Sequence, residues 1–383
     1  MWTISFQTIP VLAWCFAMMF GVWHLRLGRR AFWCVAALLA VCFGKFAFFE
    51  LAGGNTFVPD LPAGLIWTYG GIYGAAMLFA AFSFAARIAD LFFAIFRHPV
   101  NLRTRRWRAL AMAAVATALA TWGMYEGVRT PDVKRVEISF EELPPAFDGY
   151  RIVQLSDTHC STSLRRERTE GVVERVNSLD ADLVALTGDY VDGRVADRRR
   201  DMEPLANLRA KDGVVGCIGN HEAFWEWDAW HALLGEWNVD ILEEGHPRII
   251  RRGNDALAIG GLTDPVLLRR RGKATCDARE AFAGVPGTAF RILLFHRPIT
   301  ETVGSEAADL RLQLSGHTHG GALPGMHWLV ALANEGHVRG LYEFAPGRYL
   351  YNSPGTGQWA GLPIRLIPAE ITEITLRRGT RGR

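Results

Sequence analysis

Nine residues able to bind a metal or carry a proton stand at the ends of short apolar runs. They are Asp157 and His159 after "YRIVQLS", Asp189 and Asp192 in "ADLVALTGDYVD", Asn220 and His221 after "GVVGCIG", His296 after "FRILLF", and His317 and His319 in "LRLQLSGHTHGG". Five of the chain's eleven histidines are in this set. A single histidine at a strand end is ordinarily structural, but five are hard to explain by packing alone. Imidazole nitrogens mixed with carboxylate and amide oxygens suit Zn, Mn or Fe. The set is too large for one open catalytic ion, which takes about three protein ligands. It suits two ions that share a carboxylate, with His317 and His319 serving one each.

These residues need rigid elements behind them. Each run is short and almost wholly apolar, as a strand buried on both faces must be. "RRERTEGVVERVNSL" and "WDAWHALLGEW", which lie between the runs, read as helices. Alternation of strands with helices predicts a layered α/β domain with helices outside sheets, and chemistry gathers at the strand ends of such folds. "VKRVEISF" alternates like a half-buried strand, and "ELPPAFDGY" is a turn-rich lead-in.

The first third of the 383-residue chain has a different texture. Residues 1–127 carry ten Lys/Arg and four Asp/Glu, whereas the remainder carries 32 basic and 35 acidic residues. The modest overall charge of +3 therefore does not describe a nucleic-acid binder. Four apolar runs, about 4–25, 31–51, 66–86 and 107–126, are each near the ~20 residues a membrane-crossing helix needs. Arg26, Arg29 and Arg30 follow the first run, and Arg97, Arg103, Arg105, Arg106 and Arg108 precede the fourth. The loop between the second and third runs has no Lys or Arg. The positive-inside rule puts both arginine loops in the cytoplasm and everything after residue 127 outside it. Lys45, near the end of the second run, is expected to snorkel to the interface. Gly70 and Gly74 have the spacing that lets two membrane helices approach. The six cysteines show no paired spacing that predicts a disulfide framework.

The ordered set "SDTH", "TGDYVD", "GNHE", "FHRP" and "GHTHGG" resembles the calcineurin-like metallophosphoesterases. The lead-in "VEISFEELPPAFDGYRIVQLSDTH" and the ending "PIRLIPAEITEITL" look like their bacterial membrane-associated, phosphodiesterase-like branch. The resemblance covers about residues 133–378 and implies an α-β-β-α sandwich. It implies that Asp157, His159 and His319 bind one metal, that Asp189 bridges, and that Asn220, His296 and His317 bind the second. His221 would donate a proton to the leaving oxygen. Asp192 would orient the bridging loop. Glu222 stands where Asp is commoner, and Ala322 where Gln is frequent.

The expected protein is a four-helix transmembrane region (1–127), a linker and first strand (128–150), a metallophosphoesterase domain (151–378) and a basic tail (379–383). Its expected cofactors are two divalent ions (Mn, Zn or Fe), which would clamp phosphoryl oxygens and activate water. The expected activity is hydrolysis of a phosphate ester, a phosphodiester foremost, at the outer side of the cytoplasmic membrane. A pyrophosphohydrolase of a nucleotide-linked lipid (UDP-2,3-diacylglucosamine type, lipid A synthesis) is the alternative within enzymes, and a non-enzymatic membrane protein with a relic domain is the third. The Trp-rich "AFWEWDAWHALLGEW" and "GMHWLVAL" flank the expected site and would either pack internally or meet membrane lipid or a lipid-linked substrate.

Overall fold

The computed structural model describes residues 2–379 except 57, 97, 99, 274–275, 302 and 304–308. Arg97 and the basic tail beyond Gly379 lie outside the described residues. The chain divides into two compact units, Met1–Gly127 with Trp359–Leu366, and Val128–Gln358 with Ile367–Arg383.

The first unit is helical: α1 (Trp2–Phe16), which runs on through tighter and wider turns to Leu25, then α2 (Arg29–Phe43), α3 (Lys45–Gly53), α4 (Ala63–Ile95) and α5 (Leu102–Val128). The expectation of four spans is supported only in part. Two helical stretches, Thr8–Leu25 and Ala63–Ile95, are long and apolar enough to cross a membrane, and a third counts only if α2 and α3 form one span bent by 59°. Hydropathy runs unbroken across Gly44, so the sequence hides the bend. α5 is long enough, but four arginines crowd its start and Ala is the commonest residue of the rest, with Thr117 and Thr121 among them. Small and hydroxylated side chains gain little by leaving water.

Lys45 does not snorkel. It is fully buried; its Nζ donates to the carbonyl oxygen of Gly361 and lies 4.2, 4.6 and 4.9 Å from the ring centroids of Phe46, Phe49 and Tyr73. Cation–π attraction and one hydrogen bond thus replace water around a buried ammonium. Asp90 of α4 accepts from both ends of the Arg108 guanidinium at 2.7 and 2.8 Å, with Arg105 Nε at 3.1 Å, which ties α4 to α5. Gly70 and Gly74 do not meet another helix. An added Cβ would overlap Pro363 at the first and Ile364 at the second, so the bare backbone there receives Trp359–Leu366.

The second unit holds β1 (Asp132–Phe140), β2 (Arg151–Leu155), α6 (Arg166–Asn177), β3 (Leu183–Thr187), α7 (Val195–Met202), β4 (Val214–Cys217), α8 (Trp227–Glu236), β5 (Val239–Ile241), β6 (Arg248–Arg252), β7 (Asp255–Gly261), α9 (Pro265–Arg270), β8 (Phe290–Leu294), β9 (Leu310–Ser315), α10 (Met326–Ala333), β10 (Gly340–Ala345), β11 (Arg348–Asn352) and β12 (Glu370–Arg378). They form two six-stranded sheets, ordered β1-β12-β2-β3-β4-β5 and β10-β11-β9-β8-β7-β6. β2 to β5 are mutually parallel, as are β7, β8, β9 and β11.

The inner faces pack on each other through Ile152, Ala185, Val215, Ile259, Ile292 and Leu312. The outer face of the first sheet is covered by α6 and α8 through Val172, Val176, Trp230 and Leu234. On the second sheet's outer face the described cover includes the short turn Glu280–Phe282 and Val303. Among the described residues no two cysteines form a disulfide.

Candidate metal centre

Every sequence-predicted ligand follows the C-terminal end of a strand: Asp157 and His159 after β2, Asp189 after β3, Asn220 after β4, His296 after β8, and His317 and His319 after β9. The two sheets therefore deliver ligands to one place from opposite sides. Three groups of side chains stand close enough to hold a metal ion: Asp157, His159 and His319; His159, Asp189 and His221; and Asp189, His296 and His317.

Asp189 Oδ2 lies 3.2 Å from His296 Nε2 and 3.8 Å from both His159 Nε2 and His221 Nε2. His319 Nε2 is 3.4 Å from Asp157 Oδ1. Asn220 is buried, and its Oδ1 has no hydrogen-bond partner among the described residues.

The imidazole protons can be placed from their partners. His296 Nδ1 donates to the Thr187 carbonyl at 2.8 Å, and His159 Nδ1 donates to Asp192 Oδ1 at 3.2 Å. Each ring therefore turns its Nε2 into the site. Those nitrogens face His317 Nδ1 at 3.2 Å and His319 Nε2 at 3.1 Å. Imidazole nitrogens and carboxylate oxygens crowd together here, an arrangement that cations between them relieve. The donor set therefore fits divalent metal.

Electrostatics separate the groups further. Burial pushes Asp189 up, but His296, His221 and His159 outweigh it and hold the carboxyl well below the usual range. Burial likewise opposes the charge on Asp192, yet the two flanking imidazoles bring it down to about 2. His317 is pushed well below its ordinary value by burial and by the Arg297 and His296 charges, so it is neutral, as a ligand must be. His221 is raised to about 9, because the carboxylates of Asp189 and Asp192 overcome burial.

Asp192 takes on more than the loop orientation expected of it. The same Oδ1 that holds His159 accepts His221 Nδ1 at 2.6 Å. Glu222, fully buried, accepts the backbone N–H groups of Asp189 at 3.0 Å, Tyr190 at 2.5 Å and Gly219 at 2.9 Å. It therefore pins the bridging loop to the Asn220 turn, a reach that the shorter Asp side chain lacks.

The backbone beneath the centre is unusual. Asp157, His159, Asp189, His317 and His319 have φ of 52°, 44°, 55°, 72° and 49°. Left-handed conformations are unfavourable for side chains with a Cβ, and clusters of them mark functional sites. The backbone N–H of His317 donates to both oxygens of Asp157 at 3.1 Å. Gly316 permits that approach, since a Cβ there would overlap Ser156 and Asp157.

Sequence reasoning missed one pair. Arg297 donates Nε to Asp264 Oδ2 at 2.7 Å and Nη2 to Oδ1 at 3.3 Å, and its Nη1 lies 3.4 Å from His317 Nε2. The signal was present: "ALAIGGLTD" is one more apolar run ending in a carboxylate.

Residues 150–321 match the family described as calcineurin-like phosphoesterase. The chain is similar to a Danio rerio protein named transmembrane protein with metallophosphoesterase domain, 32% identical over 280 residues that cover 71% of this chain and 63% of that protein. A Bos taurus protein of the same name is 33% identical over 273 residues, covering 69% of this chain and 61% of the relative. The chain thus spans less than two thirds of either vertebrate relative. An uncharacterized metallophosphoesterase of Aquifex aeolicus is 30% identical over 250 residues, which cover 64% of this chain and 91% of that protein.

Proposed function

The chain belongs to the metallophosphoesterase family, and from that premise we propose that it is a membrane-anchored hydrolase of phosphate esters, phosphodiesters foremost, that works with two divalent ions. The carrying observation is the convergence of Asp157, His159, Asp189, His296, His317 and His319 from two sheets, with Asp189 shared between groups and the orphaned Asn220 oxygen beside them. In this reading Asp157, His159 and His319 hold one ion, Asn220, His296 and His317 hold the other, and Asp189 bridges. Ions held there would draw in the phosphoryl oxygens and make a water acidic enough to attack phosphorus.

The rest of the work is the chain's own. Asp192 fixes the Nδ1 proton of His221 and turns its Nε2 toward the Asp189 side of the site. Asp189 and Asp192 raise His221 above its ordinary value against burial, which suits it to give its proton to the leaving oxygen. His159 and His296 are held in one tautomer each by Asp192 and the Thr187 carbonyl, with Nε2 left free for a ligand role.

A lipid-linked substrate, the pyrophosphohydrolase reading included, gains support from α10. This helix begins five residues after the two-glycine turn that follows His319 and buries none of its residues; Trp328 is 69% and Leu332 85% exposed. An uncharged apolar helix beside the site favours an amphiphilic ester or the bilayer itself. The arginine loops favour a catalytic unit outside the cytoplasm, which reporter fusions after Gly127 and within residues 98–106 would test by reporting opposite sides.

The deciding assay incubates detergent-purified protein with Mn or Zn and a phosphomonoester, a phosphodiester and a nucleotide-diphospho-lipid. Metal-dependent turnover of the diester above the other two is expected. Preference for the diphospho-lipid would install the alternative, and no turnover of any of the three in a protein that holds two ions would leave a relic domain.

A further inference from the structure

Asp264 and Arg297 form a built polar contact at the edge of the centre. Asp264 lies three residues beyond β7, is fully buried, and caps α9 by accepting the Val266 N–H at 2.8 Å. The same carboxylate grips the Nε and Nη2 of Arg297. The guanidinium is thereby fixed in plane with one edge spent and the Nη1 edge turned toward His317. Its side chain is 23% exposed while its partner is sealed.

The contact with His317 is not a satisfying hydrogen bond in the working protein. His317 Nδ1 belongs to the group with Asp189 and His296. If that nitrogen is a ligand, the ring proton sits on Nε2. Arg297 Nη1 and His317 Nε2, 3.4 Å apart, are then two N–H donors facing each other beside a cationic centre. Such an arrangement calls for an anion that accepts from both. A purely structural pair would have no reason to aim a third donor here.

We propose that Arg297, aimed by Asp264, holds a non-bridging oxygen of the substrate phosphate on the His317 side of the site. This rests on the phosphoesterase reading and adds to it a residue that recognises the phosphate. Arg297 is a substrate-binding residue, and Asp264 is a positioning residue that acts through it. The planar fork matters more than the charge, because only a guanidinium can satisfy Asp264 with one edge and phosphate with the other.

The test uses the full-length protein in detergent, loaded with Mn, and inorganic phosphate as the probe. Phosphate affinity is measured by calorimetry and bound metal by elemental analysis. Arg297→Gln is expected to keep both ions and lose about ten- to a hundredfold in phosphate affinity, the size of a charge-assisted hydrogen bond. Arg297→Lys should recover only part of it. Asp264→Asn, which can still cap α9, should fall between wild type and Arg297→Gln, and it carries the test if Arg297→Gln does not fold. Unchanged phosphate affinity in these variants, or loss of metal in step with phosphate, would overturn the proposal, as would a loaded wild-type protein that binds no phosphate. Failure of the hydrolysis assay is a separate result, because phosphate binding is read without turnover.

Discussion

The two units treat buried charge in opposite ways. In the helical unit two buried charges are closed off: Lys45 ends on a carbonyl and three aromatic rings, and Asp90 is gripped by two arginines. In the sheet unit buried groups are left open: Asn220 Oδ1 has no described partner, and four imidazole nitrogens face one another in pairs at 3.1 and 3.2 Å. A closed set of charges holds a structure together. An open set waits for a ligand, and that contrast marks function better than burial alone.

The largest expected effect tests the open set at its hub. Asp189→Ala removes the carboxylate common to two of the three groups, so both ions should weaken together and hydrolysis should fall to background. Two ions per chain with normal turnover would end the binuclear assignment. Next is His221→Ala, expected to keep the ions and lose ~10²–10⁴ in turnover, the usual contribution of a positioned acid. The loss should shrink for a nitrophenyl ester, whose leaving group needs no proton. An equal loss for all leaving groups, or loss of an ion, would make His221 a ligand instead.

Asp192→Asn should cost less, about ten- to a hundredfold, and carries a signed pH effect. Asp192 raises the His221 pKa, so its removal lowers it. The acid form is then lost earlier as pH rises, and the basic limb of the kcat/KM profile moves to lower pH. A profile that stays in place would sever the Asp192–His221 link. The smallest effect tests the closed unit: Gly70→Leu would drive a side chain into Pro363. Overpacking of this kind costs about 1–3 kcal/mol, visible as a lower unfolding midpoint in detergent. No change would mean that Trp359–Leu366 is not held there.

The same contrast explains what could be read in advance. The convergence of Asp157, His159, Asp189, His296, His317 and His319 was legible because each apolar run must be a strand, and the polar residue that ends it must emerge where strands end. Asp264 ended such a run too, but its partner Arg297 looked like any surface arginine until the fold brought β7 and β8 side by side. In the helical unit, Gly70 and Gly74 gave a true signal of close approach and a false partner. The partner lies nearly 300 residues away in sequence, which no local spacing encodes. Lys45 was misplaced for the same reason, since Gly361 O is supplied by that distant segment. The bend at Gly44 was invisible because hydropathy measures transfer from water and is blind to direction.

The left-handed backbone at five ligand positions has a consequence for anyone who would redesign this chain. Each of those residues carries roughly 1 kcal/mol or more that glycine would not. A procedure that optimised the sequence for this backbone alone would write glycine or asparagine at Asp157, His159, Asp189, His317 and His319. The product would be relieved of that backbone strain and be chemically silent. Its improvement would come from the same five substitutions that erased the centre, so thermostability screens on this scaffold select against function unless those positions are frozen.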